Sequence, residues 1–108
     1  MTVTELAKKF EYKILCLPDP ERDVEHGYTG DLLSWVMGRL ESGSAWVTIM
    51  SNVNIVAVAA LADPACIILS EGVNPDEGVL ERALGQGINL LRSDKSSFEI
   101  CAEIASVL

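Results

Sequence analysis

Basic residues are scarce in this chain. Eight lysines and arginines stand against sixteen aspartates and glutamates, which gives a formal net charge of −8. Proteins that bind nucleic acid present a basic face to the phosphates, and no basic cluster here exceeds Lys8-Lys9. The composition therefore argues against nucleic-acid binding. The acidic charge is typical of a soluble cytoplasmic protein.

Long apolar runs are also missing. The longest, Ile55–Ala62, is far shorter than the ~20 residues that a membrane-spanning helix needs. Asp63-Pro64 ends this run, which predicts a buried helix instead. The amino terminus carries Glu5 early and has no apolar signal core. We therefore expect neither export nor membrane insertion.

Metal-binding and redox patterns are absent too. The three cysteines (Cys16, Cys66 and Cys101) have no C-x-x-C spacing, and His26 is the one histidine. Each cysteine lies among apolar residues, which predicts buried, reduced thiols in a reducing compartment. The acidic residues between Asp19 and Glu25 do not have calcium-loop spacing. We predict no metal and no cofactor.

Phosphate-binding glycine motifs are missing as well. Neither G-x-x-x-x-G-K-[ST] nor G-x-G-x-x-G occurs, which excludes a P-loop kinase and a dinucleotide fold. A general base would have to be His26, with Asp31 beside it in the weakest of our hypotheses. We therefore predict that the chain is not an enzyme.

What the sequence does contain is an alternation of strand-like and helix-like segments. It predicts one α/β domain over residues 1–108, with about five strands in a mostly parallel, mixed sheet and helices on both faces. The first strand need not be parallel to the others. The predicted strands are Tyr12–Leu17, a short one within Asp23–Tyr28, Ala45–Met50, Ala65–Leu69 and Ile88–Leu91. The predicted helices run from a Thr2–Glu5 capping box to near Glu11, over Leu32–Leu40 after Asp31, over Ile55–Ala62 after Asn52 or Asn54, over Asp76–Gln86, and from Ser96 to Leu108.

Hydrophobic residues make up 49% of the chain and charged residues 22%, which is a large apolar share for so short a chain. Either a doubly covered sheet uses this apolar surface, or a homodimer contact buries part of it. Trp35 and Trp46 are candidates for that contact, although core positions suit them better. The predicted buried helix faces are Leu32, Trp35, Val36 and Leu40 in one helix, and Phe98, Cys101, Ile104 and Ala105 in the last.

Small polar residues follow three of the predicted strands. In an open α/β sheet the carboxyl ends of parallel strands line the ligand crevice. Hydroxyls, amides and helix-start N–H groups can hold a phosphate, carboxylate or sugar there, although the same residues also serve as N-caps and turn formers. A glycine-flanked segment, Gly27–Asp31, could close over such a site. The candidate ligand-binding residues are Ser51, Asn52, Asn54, Ser70, Glu71, Gly72, Ser93, Gly27, Thr29 and Gly30.

At these positions the chain resembles the DRTGG domain family. The resemblance covers nearly the whole chain and rests on TIMSNVNIVAVAAL, ACIILSEGVNP and INLLRSDKSSFE. The family's Asp-Arg pair falls at Ser51-Asn52, and its Thr-Gly-Gly falls at Ser70-Glu71-Gly72. Gly72 is identical and Ser70 keeps the hydroxyl. The loss of the arginine at Asn52 removes a fixed cation for an anionic ligand.

The resemblance implies an α/β/α domain that associates with itself and serves regulation. Family members occur fused to CBS-domain pyrophosphatases and phosphotransacetylases, and resemble the amino-terminal domain of HPr kinase/phosphorylase. Lone copies with a segment like GYTGDLLSWVMG resemble proteins encoded near iron hydrogenase genes, often labelled HPr serine kinases. That label needs a kinase domain which this chain does not contain.

Two hypotheses therefore lead: a non-catalytic regulatory or interaction domain that forms a homodimer, and a sensor of a nucleotide or phosphometabolite. The sequence does not name the ligand, and an unidentified protein partner is expected.

Overall fold

The structure is a computed structural model that describes residues 1–108 and contains five helices and five strands. In chain order these are α1 (Val3–Phe10), β1 (Lys13–Cys16), β2 (His26–Thr29), α2 (Leu33–Arg39), β3 (Ser44–Thr48), α3 (Asn54–Ala62), β4 (Cys66–Leu69), α4 (Val79–Gly85), β5 (Leu90–Arg92) and α5 (Ser97–Val107). No helix has the length and hydropathy needed to cross a membrane.

The five strands form one mixed sheet in the order β1-β5-β4-β3-β2. Strands β2 to β5 are parallel to one another, and β1 runs antiparallel to β5. This confirms the predicted α/β class and the mostly parallel sheet. The first strand, whose direction the sequence left open, runs opposite to the other four.

Alternation along the strands divides the core into two layers. Trp46 and Ile67 are neighbours on one face and pack against α2, α3 and α4. Val47 and Ile68 are neighbours on the opposite face and pack against α1 and α5. The result is the expected three-layer α/β/α arrangement, with a fully buried Trp46 in its core.

The segment Leu17–Glu25, which we call the strap, connects the two outer strands of the sheet. β1 ends and β2 begins at the amino end of the parallel strands, so the strap crosses that end. Buried Asn89 holds it by accepting from the Asp19 N–H at 2.9 Å and donating to the Asp19 carbonyl at 2.7 Å. Further along, Arg22 forms a 2.9 Å ion pair with Asp63.

Two predicted helix starts are confirmed in detail. The Thr2 hydroxyl accepts from the Glu5 N–H at 3.1 Å, and the Glu5 carboxylate accepts from the Thr2 N–H at 2.8 Å. This reciprocal pair begins α1. Ser96 caps α5 by accepting from the Glu99 N–H at 3.2 Å.

Three other helix starts differ from the prediction. Val53 is the N-cap of α3 and no side chain caps this helix, so neither Asn52 nor Asn54 does. Asp31 is not the N-cap of α2, because its carboxylate accepts instead from the Thr48 hydroxyl and the Ile49 N–H of the neighbouring strand. Helix α4 begins at Val79 and not at Asp76. The positive φ of 87° at Gly78 interrupts helical geometry before it.

The predicted buried faces of two helices were partly wrong. In α5 the buried residues are Ile100 and Ile104, while Phe98 is 83% exposed and Ala105 is exposed. The helix lies over β2 and β3 at the margin of the sheet, so one flank has no strand beneath it. In α2, Val36 and Leu40 are buried as expected, whereas Leu32 and Trp35 are more than half exposed.

A candidate ligand site at the carboxyl edge of the sheet

The structure brings the carboxyl ends of four parallel strands to one edge of the sheet. The Ser70 N–H donates to the Thr48 carbonyl at 3.0 Å, and the Ser93 N–H donates to the Leu69 carbonyl at 2.9 Å. The residues after β3, β4 and β5 are therefore neighbours, as their pattern in the sequence predicts. Loops after β4 and β5 lead to helices on opposite faces, and such a divergence opens a crevice in α/β folds.

The residues after β3 bond to one another and to the loop that precedes α4. The Ser51 hydroxyl donates to the Asp76 carboxylate at 3.0 Å, and the Asp76 N–H donates to the Ser51 carbonyl at 2.9 Å. The Asn52 side-chain oxygen accepts from the Asn54 N–H at 2.9 Å, where α3 begins. These contacts are turn and loop contacts, so they agree with the turn-forming role that the sequence left open as the alternative.

The turn after β4 has an uncommon backbone. Glu71 and Gly72 both have positive φ, at 58° and 71°, and the Val73 N–H closes the turn on the Ser70 carbonyl at 3.2 Å. Glycine adopts this geometry without strain, but glutamate does not. A Cβ on Gly72 would also meet the Asp94 carboxylate at 3.0 Å. Glycine at position 72 is therefore a backbone requirement of the turn.

The Glu71 carboxylate lies at the start of α5. It accepts from the Ser97 N–H at 3.2 Å, while the Glu71 N–H donates to the Lys95 carbonyl at 2.8 Å. The Ser70 and Ser97 hydroxyls bond to each other at 2.5 Å. Helix starts attract anions, so a carboxylate of the chain itself occupies the position where an external anion was expected.

Arg92, which sequence reasoning missed, supplies a fixed cation at this edge. Its side chain is 19% exposed and donates from Nη2 to the Gly72 carbonyl at 2.7 Å and from Nε to the Val73 carbonyl at 3.0 Å. Asp94 pairs with it at 3.2 Å. A fixed cation is therefore present at this edge, although position 52 holds no arginine, and its guanidinium is bonded to groups of the chain itself. The sequence signal that could have identified Arg92 is its position at the end of β5, next to the turn after β4.

The segment Gly27–Asp31 borders the same edge from β2. The Gly30 carbonyl accepts from the Trp46 indole at 3.0 Å, and Asp31 accepts from the Thr48 hydroxyl at 2.7 Å. The segment is thus bonded to β3 and its neighbours, and its movement as a flap stays a prediction.

Two of the predicted ligand-binding residues, Gly27 and Thr29, line an apolar groove between β2 and α5, and Gly27 also borders a second depression. We call the first of these the β2–α5 groove; it has a volume of about 240 Å³. Its lining comprises Gly27, Tyr28, Thr29, Val47, Cys101, Ile104, Ala105 and Leu108. Gly27 and Thr29 therefore lie on this groove. The remaining predicted residues line none of the five concavities of the molecule.

The proposed His26–Asp31 pair does not form. His26 begins β2 and its Nε2 lies 3.1 Å from the Glu41 carboxylate, while Asp31 lies beyond the other end of the strand. Both His26 and Glu41 are largely exposed. No group of three or more His, Cys, Asp or Glu residues comes together as a potential metal site.

All three cysteines are free thiols. Burial raises the pKa of Cys66 to about 12. Burial also raises the pKa of Cys101, against a smaller opposing effect of a hydrogen bond with Thr29. Cys66 is fully buried as predicted, whereas Cys16 and Cys101 are only half-buried.

Comparison with known proteins agrees with this architecture. No curated protein sequence matches the chain. One solved structure of the same fold contains the CBS and DRTGG domains of the regulatory region of Clostridium perfringens pyrophosphatase, complexed with its activator diadenosine tetraphosphate. The TM-score is 0.76 at 12% identity, and the match covers 99% of this chain but 47% of that chain. A family model of the DRTGG domain matches residues 5–107, so this chain belongs to the DRTGG domain family.

Proposed function

We propose that this chain is a non-catalytic regulatory or interaction domain that acts as a homodimer in the cytoplasm. Membership of the DRTGG family supports this role, as does a solved neighbour that forms part of a regulatory region. Three free thiols fit a reducing compartment.

The observation that carries the proposal is the mutual bonding of polar groups at the carboxyl edge. Glu71 is bonded at the start of α5, Arg92 is bonded to the β4 turn, and Ser51 is bonded to Asp76. No buried side-chain nitrogen or oxygen is left without a hydrogen-bond partner. The serine hydroxyls of this edge bond to Asp76 and to each other. His26, the one histidine of the chain, lies at the opposite end of β2, so no histidine is placed to activate a nucleophile here.

Sedimentation of the purified chain at micromolar concentration tests this proposal. A dimer supports it, and a monomer over the accessible concentration range would overturn the homodimer. Proteins encoded with iron hydrogenases are the first partners to test, because the sequence resemblance to lone copies of the domain implies that association.

A sensor of a small anionic ligand is the second candidate. Arg92 favours it, since a partly buried guanidinium at the sheet edge can bind a phosphate if the ligand displaces a carbonyl partner. The solved neighbour's complex with diadenosine tetraphosphate makes nucleotides the first class to examine.

A thermal-shift screen with adenine nucleotides, dinucleotides, phosphosugars and divalent ions tests the sensor. A ligand at a hundred times its dissociation constant adds about 2.7 kcal/mol of stability, which shifts the midpoint on the order of 10–20 °C for a domain of this size. Binding should be lost in Asn52→Leu and kept in Gln86→Leu, an exposed amide at the opposite end of the sheet. A flat screen contradicts the sensor and leaves the homodimer standing.

A further inference from the structure

β2 is an outer strand that hydrogen-bonds only to β3. Across this pair the Gly30 N–H donates to the Val47 carbonyl at 3.3 Å. Alternate residues of a parallel strand direct their backbone groups to the same side, so His26 and Tyr28 also face β3. Gly27 and Thr29 therefore direct their N–H and C=O groups outward, where the sheet has no further strand.

Natural proteins usually protect such an edge. Lysine, proline, a bulge or an inward-pointing charge prevents another strand from pairing with it. The sequence of β2 is His26-Gly27-Tyr28-Thr29, with neither lysine nor proline, and its register with β3 is regular throughout. This edge is therefore able to accept a strand.

The outer flank of α5 adds apolar surface beside this edge. Phe98, Cys101, Ala105 and Leu108 form a stripe at helical spacing along that flank, and the last three line the β2–α5 groove. Phe98 is 83% exposed and Leu108 is 56% exposed. This stripe has the apolar spacing of a buried helix face, but it is exposed to solvent beside an unpaired strand. Such a surface is typical of one that another polypeptide covers.

The charges around β2 favour a second copy of this chain. The amino end of β2 borders a depression of about 330 Å³ whose lining includes Glu25, His26, Arg39 and Glu41. Both signs of charge are present on this rim, so a copy turned through a twofold axis can place acidic groups near Arg39. The net charge of −8 makes two copies repel each other, which opposes association through surfaces that lack such a mixture of charges.

The backbone pattern is also symmetric about Tyr28. In an antiparallel pair centred on this residue, Gly27 lies opposite Thr29 of the second copy, and the reverse pair forms equally. Each outward N–H then meets an outward C=O, which satisfies the free backbone groups of both residues. Tyr28 faces Tyr28 of the second copy at the close, non-hydrogen-bonded position.

We infer that two copies of this chain join through antiparallel β2 strands, with the α5 stripes packed across the β2–α5 groove. This inference rests on the proposed homodimer and names its interface. The two sheets become one continuous sheet, and the carboxyl edges of both copies remain outside the contact.

Substitution on the stripe tests the inference. Ala105→Glu places a charge on the groove, and the twofold axis brings two such charges together. We expect the dimer dissociation constant to rise by about a hundredfold. Ala102→Glu is the matched control, since Ala102 is exposed on the same helix and does not line the groove. Sedimentation of both variants beside the wild type measures the effect.

Amide hydrogen exchange supplies a second readout that needs no variant. The Gly27 and Thr29 amides should exchange slowly in the wild-type dimer, and their protection should fall as the protein is diluted below its dissociation constant. In Ala105→Glu they should exchange quickly at every concentration.

The outcomes separate the interface from the proposed function. A wild-type dimer whose β2 amides exchange quickly, or whose association Ala105→Glu leaves unchanged, overturns this interface and keeps the homodimer. A wild-type monomer overturns both. A wild-type monomer whose β2 amides become protected on adding a foreign peptide assigns the edge to a different chain, and also contradicts the inference.

Discussion

The two outer strands of the sheet differ in how they can receive another strand. β1 begins with Lys13, shifts its register with β5 between Ile14 and Cys16, and is followed by Pro18. β2 has no such feature and pairs regularly with β3. The same sheet thus has one edge that resists pairing and one that permits it. This difference arises from the residues of two four-residue strands and of the turns next to them.

The strap joins these two edges, and breaking its attachment should give the largest effect on stability. Asn89→Ala removes three hydrogen bonds, to both backbone groups of Asp19 and to the Ala65 carbonyl. Because buried backbone groups lose their partners, the free energy of unfolding should fall by about 2–4 kcal/mol. Urea denaturation measures this loss.

Asn54→Ala is the matched control, because Asn54 is exposed and makes no side-chain bond. It should change the free energy of unfolding by less than about 0.5 kcal/mol. A loss below about 1 kcal/mol in Asn89→Ala would mean that the strap is held by other contacts.

Thiol labelling compares the two edges directly, with an intermediate effect. Cys16 belongs to β1 and Cys101 lines the β2–α5 groove, and burial raises the pKa of both half-buried thiols. If β2 is the dimer edge, Cys101 should react about tenfold more slowly than Cys16 in the dimer. The difference should shrink in Ala105→Glu. Equal rates in dimer and monomer would place the contact elsewhere.

Cys66 provides an internal reference for this experiment. With a pKa raised to about 12, its thiolate fraction at pH 8 is about one part in ten thousand, and the thiol is fully buried. It should remain unlabelled in every folded variant. Its labelling would show that the protein had opened.

The smallest expected effect concerns pH. The hydrogen bond from Arg22, and a second one from Ser42, hold the pKa of the Asp63 carboxyl below its ordinary value. A lowered folded pKa stabilises the fold above about pH 4, and this contribution is lost as pH falls further. Asp63→Asn should therefore show a shallower loss of stability below about pH 4. Thermal unfolding across that range measures it.

Arg22→Gln decides whether the pair is responsible. In that background Asp63→Asn should add little further change, because the ion pair is already absent. A full effect in both backgrounds would assign the pH dependence to another carboxylate.

Much of the fold follows from local patterns. The capping box of Thr2 and Glu5, the Ser96 cap and the strand-helix alternation depend on neighbours in the chain, so the sequence predicts them. The membership of the DRTGG family was likewise recognisable. These features need no knowledge of which strands are adjacent.

The errors arise where distant residues decide. Asp31 could cap α2, but the Thr48 hydroxyl and Ile49 N–H of the next strand compete for its carboxylate. Phe98 has the spacing of a buried residue, but the margin of the sheet leaves it uncovered. Arg92 reaches the edge only through the pairing of β5 with β4. Helical periodicity and motif position contain none of this information.

The pairing of β1 with β5 sets an order of events for folding. The first strand to leave the ribosome bonds only to the last, so the sheet cannot be completed until almost the whole chain has been synthesised. Contacts that span so much of the chain are slow to form, because a long loop must close before they are made. Until then β2, β3 and β4 are free to assemble, and a nascent chain exposes the β5 side of this unfinished sheet as a second open edge.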